Sequence, residues 1–495
     1  MTRLSAATLG RLAKEVAPAY VPAEHGIGIR HLGRGAFHRS HQAAYTDAAL
    51  ARQGGDWRIA AVSLRSTGTV DALAPQDNLF TLIESGADGL HPRVIGSLGR
   101  TIAAARTPEA VLDVFADPAI RIVTLTVTEK AYGFDRANRD CDPEHADVAA
   151  DLADPRAPRG VLGILTEGVR RRRDAGHPAP AILCCDNLPE NGRLLRAGVI
   201  GFARRVDPDL ADWIEAHVAF PSSMVDRITP AATAETLARA HGLTGLEDAA
   251  AIETEPFAQW VIEDEFPQGR PAWEAAGAIF VPDVTPYEKM KLRMLNGAHS
   301  LIAYASVVAG HEYVRDAMAD PALAALADRQ MRAVARTLGP LRDIDLDTYR
   351  ADLLARFANP GIAHQTRQIA MDGTEKLPQR IFEPAVEALK AGDDPAPYAF
   401  ATAAWMRYCL GKDDTGAEYP LNDPRAGALQ DAARRAGYGA GDLRQTLMAV
   451  PGLFPETLRE SVFRAAVTER LASVLSIGMA AAIRNEARDP ASGPG

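Results

Sequence analysis

Short apolar runs alternate with helical stretches through roughly the first 220 residues, and this alternation constrains the fold more than any other feature. The runs with the composition of strands are 27–33, 57–64, 120–127, 180–187 and 215–221. The helical patterns between them include 107–117 and 161–176. Strands that alternate with helices pair in parallel, because each helix carries the chain back to the same end of the sheet. The sequence therefore predicts an α/β fold with a doubly wound parallel sheet.

The pattern changes at about residue 286, where strand-like runs nearly vanish. The helical periodicities that follow are 286–308, 321–337, 346–357, 380–391, 398–409, 425–436 and 458–485. Pro286 suits the first turn of the helix that opens this part of the chain. We predict two domains, 1–284 with the sheet and 285–495 mostly α-helical, and a disordered end at 488–495.

Charge and composition limit the partners. The chain has 495 residues and a formal net charge of −10, which disfavours nucleic acid and anionic membranes as main partners. No apolar stretch is long enough to span a bilayer, and the N-terminal residues lack the apolar core of a signal peptide. Four cysteines without a CxxC spacing fit a reducing compartment. The sequence indicates a cytoplasmic protein with a small-molecule substrate, and the residues do not determine its oligomeric state.

Two glycines, Gly33 and Gly35, directly follow the first strand and precede a helix. Dinucleotide-binding folds need such glycines because the backbone must approach the pyrophosphate closely. The third glycine of the usual fingerprint is missing, so a tight turn without a cofactor is the alternative. The position after the first strand favours the cofactor. His38 and His41 lack a third ligand nearby, and we predict no metal.

The segment after the second strand carries Arg65, Ser66 and Thr67, where NAD-binding folds usually have Asp or Glu. An arginine at this position also suits the 2′-phosphate of NADP. We expect NAD as the cofactor, and the sequence does not exclude NADP.

The segment "KMKLRMLNGAHSLIAY" (289–304) is an apolar helical run in which three polar residues, Lys291, Asn296 and His299, would point inward. At about 100° per residue, the residues on one stripe are Glu288, Lys291, Leu295 and His299, with Asn296 beside it. A lysine in an apolar wall can act as a general base, an asparagine can donate to a developing alkoxide, and a histidine can hold a hydroxyl. The alternative is a lysine that reaches solvent, a core histidine and a kink at Gly297.

Seven blocks carry a resemblance to a known family. They are "HLGRGAFHRSHQAAYTD" (31–47), "RIVTLTVTEKAYGFD" (121–135), "CCDNLPENG" (184–192), "FPSSMVDRITPA" (220–231), "EPFAQWVIEDEFPQGRPAWEAAGAIFV" (255–281), "KLRMLNGAHS" (291–300) and "RQIAMDGTEKLPQRI" (367–381). The chain resembles the polyol-specific long-chain dehydrogenases, which include mannitol 2-dehydrogenases and fructuronate reductases, and the K-x4-N-x2-H spacing is a signature of that family. The resemblance implies a Rossmann-type domain, a helical second domain and metal-independent oxidoreductase chemistry with a nicotinamide cofactor.

The resemblance also implies roles for single residues. Lys291 would be the general base, Asn187 and Asn296 would polarise the carbonyl oxygen, and His299 would help to hold the substrate. The other residues assigned in this way are Val225, Asp226 and Lys376 for the substrate, Gly33, Gly35, Phe37, Arg65 and Thr128 for the cofactor, and Glu129 and Glu288 for a proton path. Arg367 replaces a tryptophan that is usual in fructuronate reductases, and we interpret it as a substrate contact, with a surface residue as the alternative.

The lysine block and the block at 367–380 are closer to fructuronate reductases than to mannitol dehydrogenases. We therefore expect D-mannonate and D-fructuronate as the substrate pair, with mannitol 2-dehydrogenase or a related polyol dehydrogenase as the alternative. A carboxylate would need a cation, for which Lys376, Arg367 and Arg380 are candidates. A nicotinamide-binding sensor without catalysis is disfavoured by the complete lysine–asparagine motif, and a hydrolase is disfavoured because no GxSxG motif is present.

Overall fold

The structure is a computed structural model that describes residues 2–33, 35–436 and 439–488. The chain divides into two units, Met1–Thr285 and Pro286–Gly495. Apart from Arg488, the end for which disorder is expected lies outside the described residues.

The first unit contains all the named strands and nine α-helices among its described residues. The strands are β1 (Ile27–Leu32), β2 (Arg58–Ser63), β3 (Phe80–Gly86), β4 (Gly89–Ile95), β5 (Leu98–Ala103), β6 (Ile122–Leu125), β7 (Phe134–Asp135), β8 (Asp140–Cys141), β9 (Ala181–Cys184), β10 (Ser223–Asp226), β11 (Ile252–Thr254), β12 (Gln259–Glu263) and β13 (Ile279–Val281). The helices are α1 (Ala36–Ser40), α2 (Gln42–Gln53), α3 (Gly68–Leu73), α4 (Pro108–Ala116), α5 (Ala146–Ala153), α6 (Val161–Asp174), α7 (Asn191–Val206), α8 (Pro208–His217) and α9 (Ala234–Thr244).

A five-stranded parallel sheet organises this unit, with the strand order β5-β2-β1-β6-β9. Leu32 at the end of β1 lies opposite both Val62 of β2 and Leu125 of β6. Alternate residues of the strands contribute to two core clusters, one with α4, α6 and α7 and the other with α2. The predicted doubly wound sheet is confirmed. Its chain order reverses between β1 and β6, and in such sheets ligands bind at the carboxyl ends of the strands beside that reversal.

Four of the predicted strands correspond to β1, β2, β6 and β9, but the strand predicted at 215–221 is wrong. Helix α8 continues to His217, because Asp207 caps its start by accepting a hydrogen bond from the Leu210 N–H. Ala219 accepts one backbone hydrogen bond from Ile182 of β9, at 2.9 Å. Pro221 has no N–H with which to continue such a ladder. The segment therefore lies along the sheet edge without forming a strand.

Two three-stranded sheets, β11-β3-β4 and β10-β12-β13, and the hairpin β7-β8 lie outside the predicted strands. In the second of these sheets β10 runs antiparallel to β12, and Val225 lies opposite Trp260. The indole of Trp260 is fully buried. This packing fixes the short strand that carries Val225 and Asp226.

Among the described residues of the second unit, helices joined by loops are the main regular elements. Its helices are α10 (Thr285–Met290), α11 (Asn296–Ala309), α12 (Val314–Met318), α13 (Pro321–Ala335), α14 (Leu346–Phe357), α15 (Thr366–Ile369), α16 (Gly373–Leu377), α17 (Glu383–Ala391), α18 (Ala396–Tyr408), α19 (Ala426–Ala436), α20 (Ala440–Met448), α21 (Glu456–Glu460), α22 (Val462–Ile477) and α23 (Met479–Arg488). Two π-helical turns interrupt them, Lys291–Leu295 between α10 and α11 and Pro378–Phe382 between α16 and α17.

The predicted helical stretches correspond to observed helices, although π turns lie within 286–308 and 380–391, and the largest difference is at 458–485. That stretch consists of three helices instead of one. Ser461 caps α22 by accepting a hydrogen bond from the Phe463 N–H, and Gly478 has a φ of +80°, which ends α22 before α23 begins. Within the described ranges, no helix is both long enough and apolar enough to cross a membrane.

The four cysteines, Cys141, Cys184, Cys185 and Cys409, are buried and free. Burial raises the pKa of each thiol, most strongly for the three that are fully enclosed. A thiol with a raised pKa carries little thiolate, so these side chains act as small apolar residues of the core.

Candidate active site

The glycine turn is fastened to the end of the neighbouring strand β6. Gly33 has a φ of +91°, and a Cβ atom on it would lie 2.1 Å from the carbonyl oxygen of Thr126. The Thr126 hydroxyl donates to the Gly33 carbonyl at 2.8 Å. His31 lies beside both groups, with its Nε2 atom 2.8 Å from the Thr126 hydroxyl. Gly33 is therefore required by the fold, because no other residue fits this conformation and this spacing.

Gly35 is in a different situation. Its φ is −85°, and a Cβ atom on it would have no neighbour nearer than the Phe37 nitrogen at 4.0 Å. The open space lies at the start of α1, where backbone N–H groups have no partner within the helix. Groups of this kind bind phosphate. The turn therefore fits the pyrophosphate of a dinucleotide.

Phe37 and the two nearby histidines pack against other rings. Phe37 is stacked on His41 with a centroid distance of 5.0 Å, and His38 is stacked on His31 at 3.5 Å. Within the described part of the chain, no three His, Cys, Asp or Glu side chains form a group that could hold a metal ion.

Arg65 and Thr128 occupy exposed loops at the carboxyl ends of β2 and β6. The Arg65 side chain is 80% exposed and forms an ion pair with Asp147 at 2.9 Å. Thr128 precedes a short 3-10 helix, Glu129–Ala131. Glu129 of that helix is also exposed and pairs with Arg136 at 2.9 Å. An exposed ion pair contributes little to stability, so the Arg65 guanidinium is available to a ligand.

Asn187 follows β9 on an exposed loop, and its neighbour Asp186 holds that loop in place. One carboxylate oxygen of Asp186 accepts hydrogen bonds from the Val127 N–H at 2.9 Å and from the Tyr132 hydroxyl at 2.6 Å. Burial raises the pKa of Asp186 to about 7. Sequence analysis did not assign Asp186 a role, although its place beside Asn187 in "CDN" is a signal for one.

Asn191 joins the same loop to β10. Its amide donates to the Asp186 carbonyl at 3.0 Å and to the Ser223 carbonyl at 2.8 Å, and its oxygen accepts from the Ser223 N–H. Val225 and Asp226 lie at the other end of β10 and are 4% and 6% exposed. Asn191 therefore connects two of the segments to which the sequence assigns substrate contacts.

In the second unit, the K-x4-N spacing coincides with a π turn. The backbone N–H of Asn296 donates to the carbonyl of Lys291, five residues earlier. In an α-helix, residues five apart point about 140° away from each other. The π turn winds more residues into one turn, so the backbone of Asn296 follows that of Lys291 by about one full turn. The predicted stripe assumed a regular α-helix, and the π turn interrupts that regularity between Lys291 and Asn296.

Lys291 and Glu288 are buried, with 8% and 9% of their surfaces exposed. Met294 and Leu295, which were expected to surround the Lys291 side chain, are also buried. His299 follows Asn296 by three residues on α11. Its ring lies 4.5 Å from the ring of Phe357, and burial, helped by nearby cations, lowers its pKa well below the usual value. His299 is therefore neutral at physiological pH and suits a hydroxyl group better than an anion.

The second π turn, Pro378–Phe382, packs against the first one. A Cβ atom on Gly297 would lie 3.0 Å from the Arg380 carbonyl oxygen, so this glycine allows the close approach. Lys376 precedes the turn, and its ammonium donates to the Met371 carbonyl at 2.7 Å. Arg367 lies elsewhere, over the ring of Tyr419 and beside the C-terminal end of α11. The structure brings Lys376 and Arg380 toward the Asn296 turn, but not Arg367.

Two family models cover most of the chain. The Rossmann domain of mannitol dehydrogenase matches residues 27–275, and the C-terminal domain of mannitol dehydrogenase matches residues 283–475. The chain belongs to the mannitol dehydrogenase family. It is a dehydrogenase of that family that acts on CH–OH groups.

Relatives that are named for two different substrates are similar to this chain. The D-mannonate oxidoreductase of Escherichia coli (strain K12) is 41% identical over 446 residues, 89% of this chain and 91% of that protein. A mannitol 2-dehydrogenase of Cereibacter sphaeroides is 42% identical over 413 residues, 83% of this chain and 86% of that protein. The structure of Pseudomonas fluorescens mannitol 2-dehydrogenase in ternary complex with NAD and D-mannitol is 38% identical, with a TM-score of 0.82, and covers 99% of this chain and 100% of that chain. The predicted family and fold class are confirmed.

Proposed function

We propose that the protein interconverts D-mannonate and D-fructuronate with NAD as the cofactor and Lys291 as the general base. The observation that carries the proposal is the π turn whose backbone hydrogen bond joins Asn296 to the buried Lys291. The name of the Escherichia coli relative supports this substrate pair. A second candidate is the D-mannitol and D-fructose pair, which the names of the Cereibacter relative and the Pseudomonas structure favour.

The cofactor would lie at the glycine turn. Gly33 shapes the turn, Gly35 leaves room for the pyrophosphate, and Phe37 lines the start of α1. Arg65 and Thr128, on the loops that follow β2 and β6, would contact the remainder of the nucleotide. A bound nicotinamide supplies the hydride acceptor for alcohol oxidation and the hydride donor for ketone reduction. The solved structure with NAD supports NAD, and Arg65 is the residue whose chemistry would also accept NADP.

Lys291 would remove the proton from the secondary alcohol while the hydride leaves the same carbon. Negative charge then develops on the oxygen, and the amides of Asn187 and Asn296 would donate hydrogen bonds to it. Oriented donors of this type contribute on the order of 3 kcal/mol each in a dry site. In ketone reduction the same donors polarise the carbonyl, and Lys291 returns the proton.

A proton taken up by Lys291 must reach solvent. Glu288 precedes Lys291 by three residues and is buried, whereas Glu129 is exposed in its ion pair with Arg136. We assign both carboxylates to a proton path on this basis. His299, neutral because of its lowered pKa, would hold a substrate hydroxyl. The further substrate contacts proposed are Val225, Asp226 and Lys376.

The role of Lys291 is tested by replacing it with alanine. Removal of a general base costs roughly 100-fold to 10,000-fold in kcat, while binding of NADH should be unchanged. Lys289→Ala is the matched control, because this neighbouring lysine is exposed. Turnover of Lys291→Ala near that of the unchanged protein would refute the assignment.

The substrate is decided by a panel of keto sugars with NADH and with NADPH. The panel contains fructuronate, tagaturonate and fructose, together with their reduced partners in the reverse direction. The first candidate requires fructuronate to be the best of the ketones. Preferential reduction of fructose supports the second candidate.

A further inference from the structure

Arg380 lies on the second π turn and reaches along the first turn of α11. Its Nη1 atom donates to the Asn296 carbonyl at 3.4 Å and to the Ser300 hydroxyl at 3.3 Å. Both acceptors are neutral, and both bonds are long. A guanidinium has five N–H groups, so most of the donors of Arg380 are not used by these two bonds.

The positive charge of Arg380 is not balanced by an acid. Among the described residues no carboxylate forms an ion pair with it; the ionisable groups that interact with it are the Lys376 ammonium, the His299 ring and the phenol of Tyr304. That phenol is neutral, because burial raises its pKa well above the usual value. Burial also lowers the pKa of Arg380. A half-buried guanidinium without an anion has lost hydration and gained no charge partner, which is costly unless an anion binds to it.

The neighbouring cations are better compensated or lie farther away. The Lys376 ammonium lies 3.7 Å from the Asp372 carboxylate in addition to its bond with Met371. Arg367 lines a different cavity, together with Gly310 beyond the C-terminal end of α11, and its guanidinium lies over the ring of Tyr419. Of the three cations considered for a carboxylate, Arg380 combines closeness to Asn296 with an uncompensated charge.

We propose that Arg380 binds the carboxylate of a sugar-acid substrate and thereby selects the acid over the neutral sugar. The inference rests on the proposed function, because it assumes that Asn296 holds the reacting oxygen. Gly297 contributes to this selection, since it allows the Arg380 backbone to approach α11 and place the guanidinium beside Asn296. A sugar acid would thus be held at its carboxylate by Arg380 while its carbon 2 oxygen meets the amide of Asn296.

The test compares a charged and a neutral ketone in the same variants. Arg380→Gln and Arg380→Lys are assayed with NADH on fructuronate and on fructose. Arg434→Gln is the matched control, because this arginine is 74% exposed on α19. Loss of a charge-assisted carboxylate contact should lower kcat/KM for fructuronate roughly 100-fold, mostly through KM, and leave that for fructose within about threefold. Arg380→Lys should lose less of its kcat/KM for fructuronate, since lysine keeps the positive charge but lacks the paired N–H donors of the guanidinium.

A binding measurement distinguishes loss of carboxylate binding from a folding defect in the variants. Thermal unfolding of each variant is followed with D-mannonate and with D-mannitol as probes. The inference predicts that mannonate raises the Tm of the unchanged protein and of Arg434→Gln, but not that of Arg380→Gln. Added guanidinium ion at low concentration should partly restore fructuronate reduction to Arg380→Ala.

These experiments distinguish a failure of the inference about Arg380 from a failure of the proposed function. Equal losses on fructuronate and fructose in Arg380→Gln overturn the inference, because Arg380 would then act through the fold. Unchanged protein that reduces fructose but not fructuronate also overturns it, while the second candidate function remains. Unchanged protein that acts on none of the ketones or their reduced partners overturns the proposed function itself.

Discussion

Replacing each glycine of the turn by alanine should separate folding from cofactor binding. In Gly33→Ala the new Cβ would lie 2.1 Å from the Thr126 carbonyl oxygen, in a backbone with a φ of +91°. The left-handed conformation costs an alanine about 1–2 kcal/mol. Displacement of packed atoms costs about 1–3 kcal/mol more. We expect the free energy of unfolding to fall by about 2–5 kcal/mol.

Gly35→Ala should behave in the opposite way. The φ of −85° is allowed for alanine, and a Cβ atom would contact nothing closer than 4.0 Å. Alanine restricts the unfolded chain, which stabilises by about 0.4–1 kcal/mol, but it is a poorer helix N-cap than glycine by a similar amount. The net change in stability should be about zero. The methyl group would, however, occupy the space needed by the pyrophosphate, so we expect the Kd for NADH to rise roughly tenfold or more, about 1.4 kcal/mol.

Two measurements are needed on each variant: urea unfolding, and a fluorescence titration with NADH. The expected pattern is an unstable Gly33→Ala protein, and a Gly35→Ala protein of normal stability with weak NADH binding. If Gly35→Ala binds NADH and NADPH as tightly as the unchanged protein does, the turn is not the pyrophosphate site. If Gly33→Ala is as stable as the unchanged protein, the steric reasoning is wrong.

Three further predictions concern charged groups. The pKa of Asp186 is raised to about 7, so between pH 4 and 7 the folded state binds a proton that the unfolded state has lost. The free energy of unfolding should therefore fall as the pH rises through this range, by at most about 4 kcal/mol. Urea unfolding across the range should show a smaller fall for Asp186→Asn. Glu387 bonds the buried Arg293 of the first π turn at 2.6 and 2.7 Å, so Glu387→Gln should cost about 1–2 kcal/mol at pH 7. Because Arg293 lowers the pKa of Glu387, this difference should shrink as the pH falls from about 4.3, the usual pKa of a glutamate, through that lowered value, and a difference that does not shrink contradicts the assignment. Arg65→Gln should weaken NADPH binding roughly tenfold and NADH binding much less; equal effects on both would show that Arg65 does not meet the 2′-phosphate.

Much of the fold follows from local patterns in the sequence. The strands β1, β2, β6 and β9 are apolar runs bounded by turn residues, and the glycine turn is recognisable from its position alone. The strand predicted at 215–221 was wrong because an N-cap at Asp207 and the proline after it extend α8 through residues that also suit a strand. Apolar composition does not distinguish these two states.

The candidate site was predicted in its residues but not in its geometry. The 100° periodicity assumes 3.6 residues per turn, whereas the segment at Lys291 uses a wider turn that is anchored by Arg293 and Glu387. Such a turn depends on a partner 94 residues away in the chain, which no local pattern contains. For the same reason the sequence could not distinguish Arg367 from Arg380 as the residue that binds a carboxylate. The packing of the two π turns places Arg380, but not Arg367, beside Asn296.

The π turn at Lys291 has a consequence for transplanting this motif to another scaffold. If the lysine, asparagine and histidine are copied at their native spacing onto an ideal α-helix, the side chains of the first two will point to different sides of that helix. A graft onto regular helix would need the asparagine one position earlier, as K-x3-N-x2-H, to recover the alignment. The extra residue in the natural motif is thus part of its geometry, and searches of helical scaffolds should score backbone winding together with residue spacing.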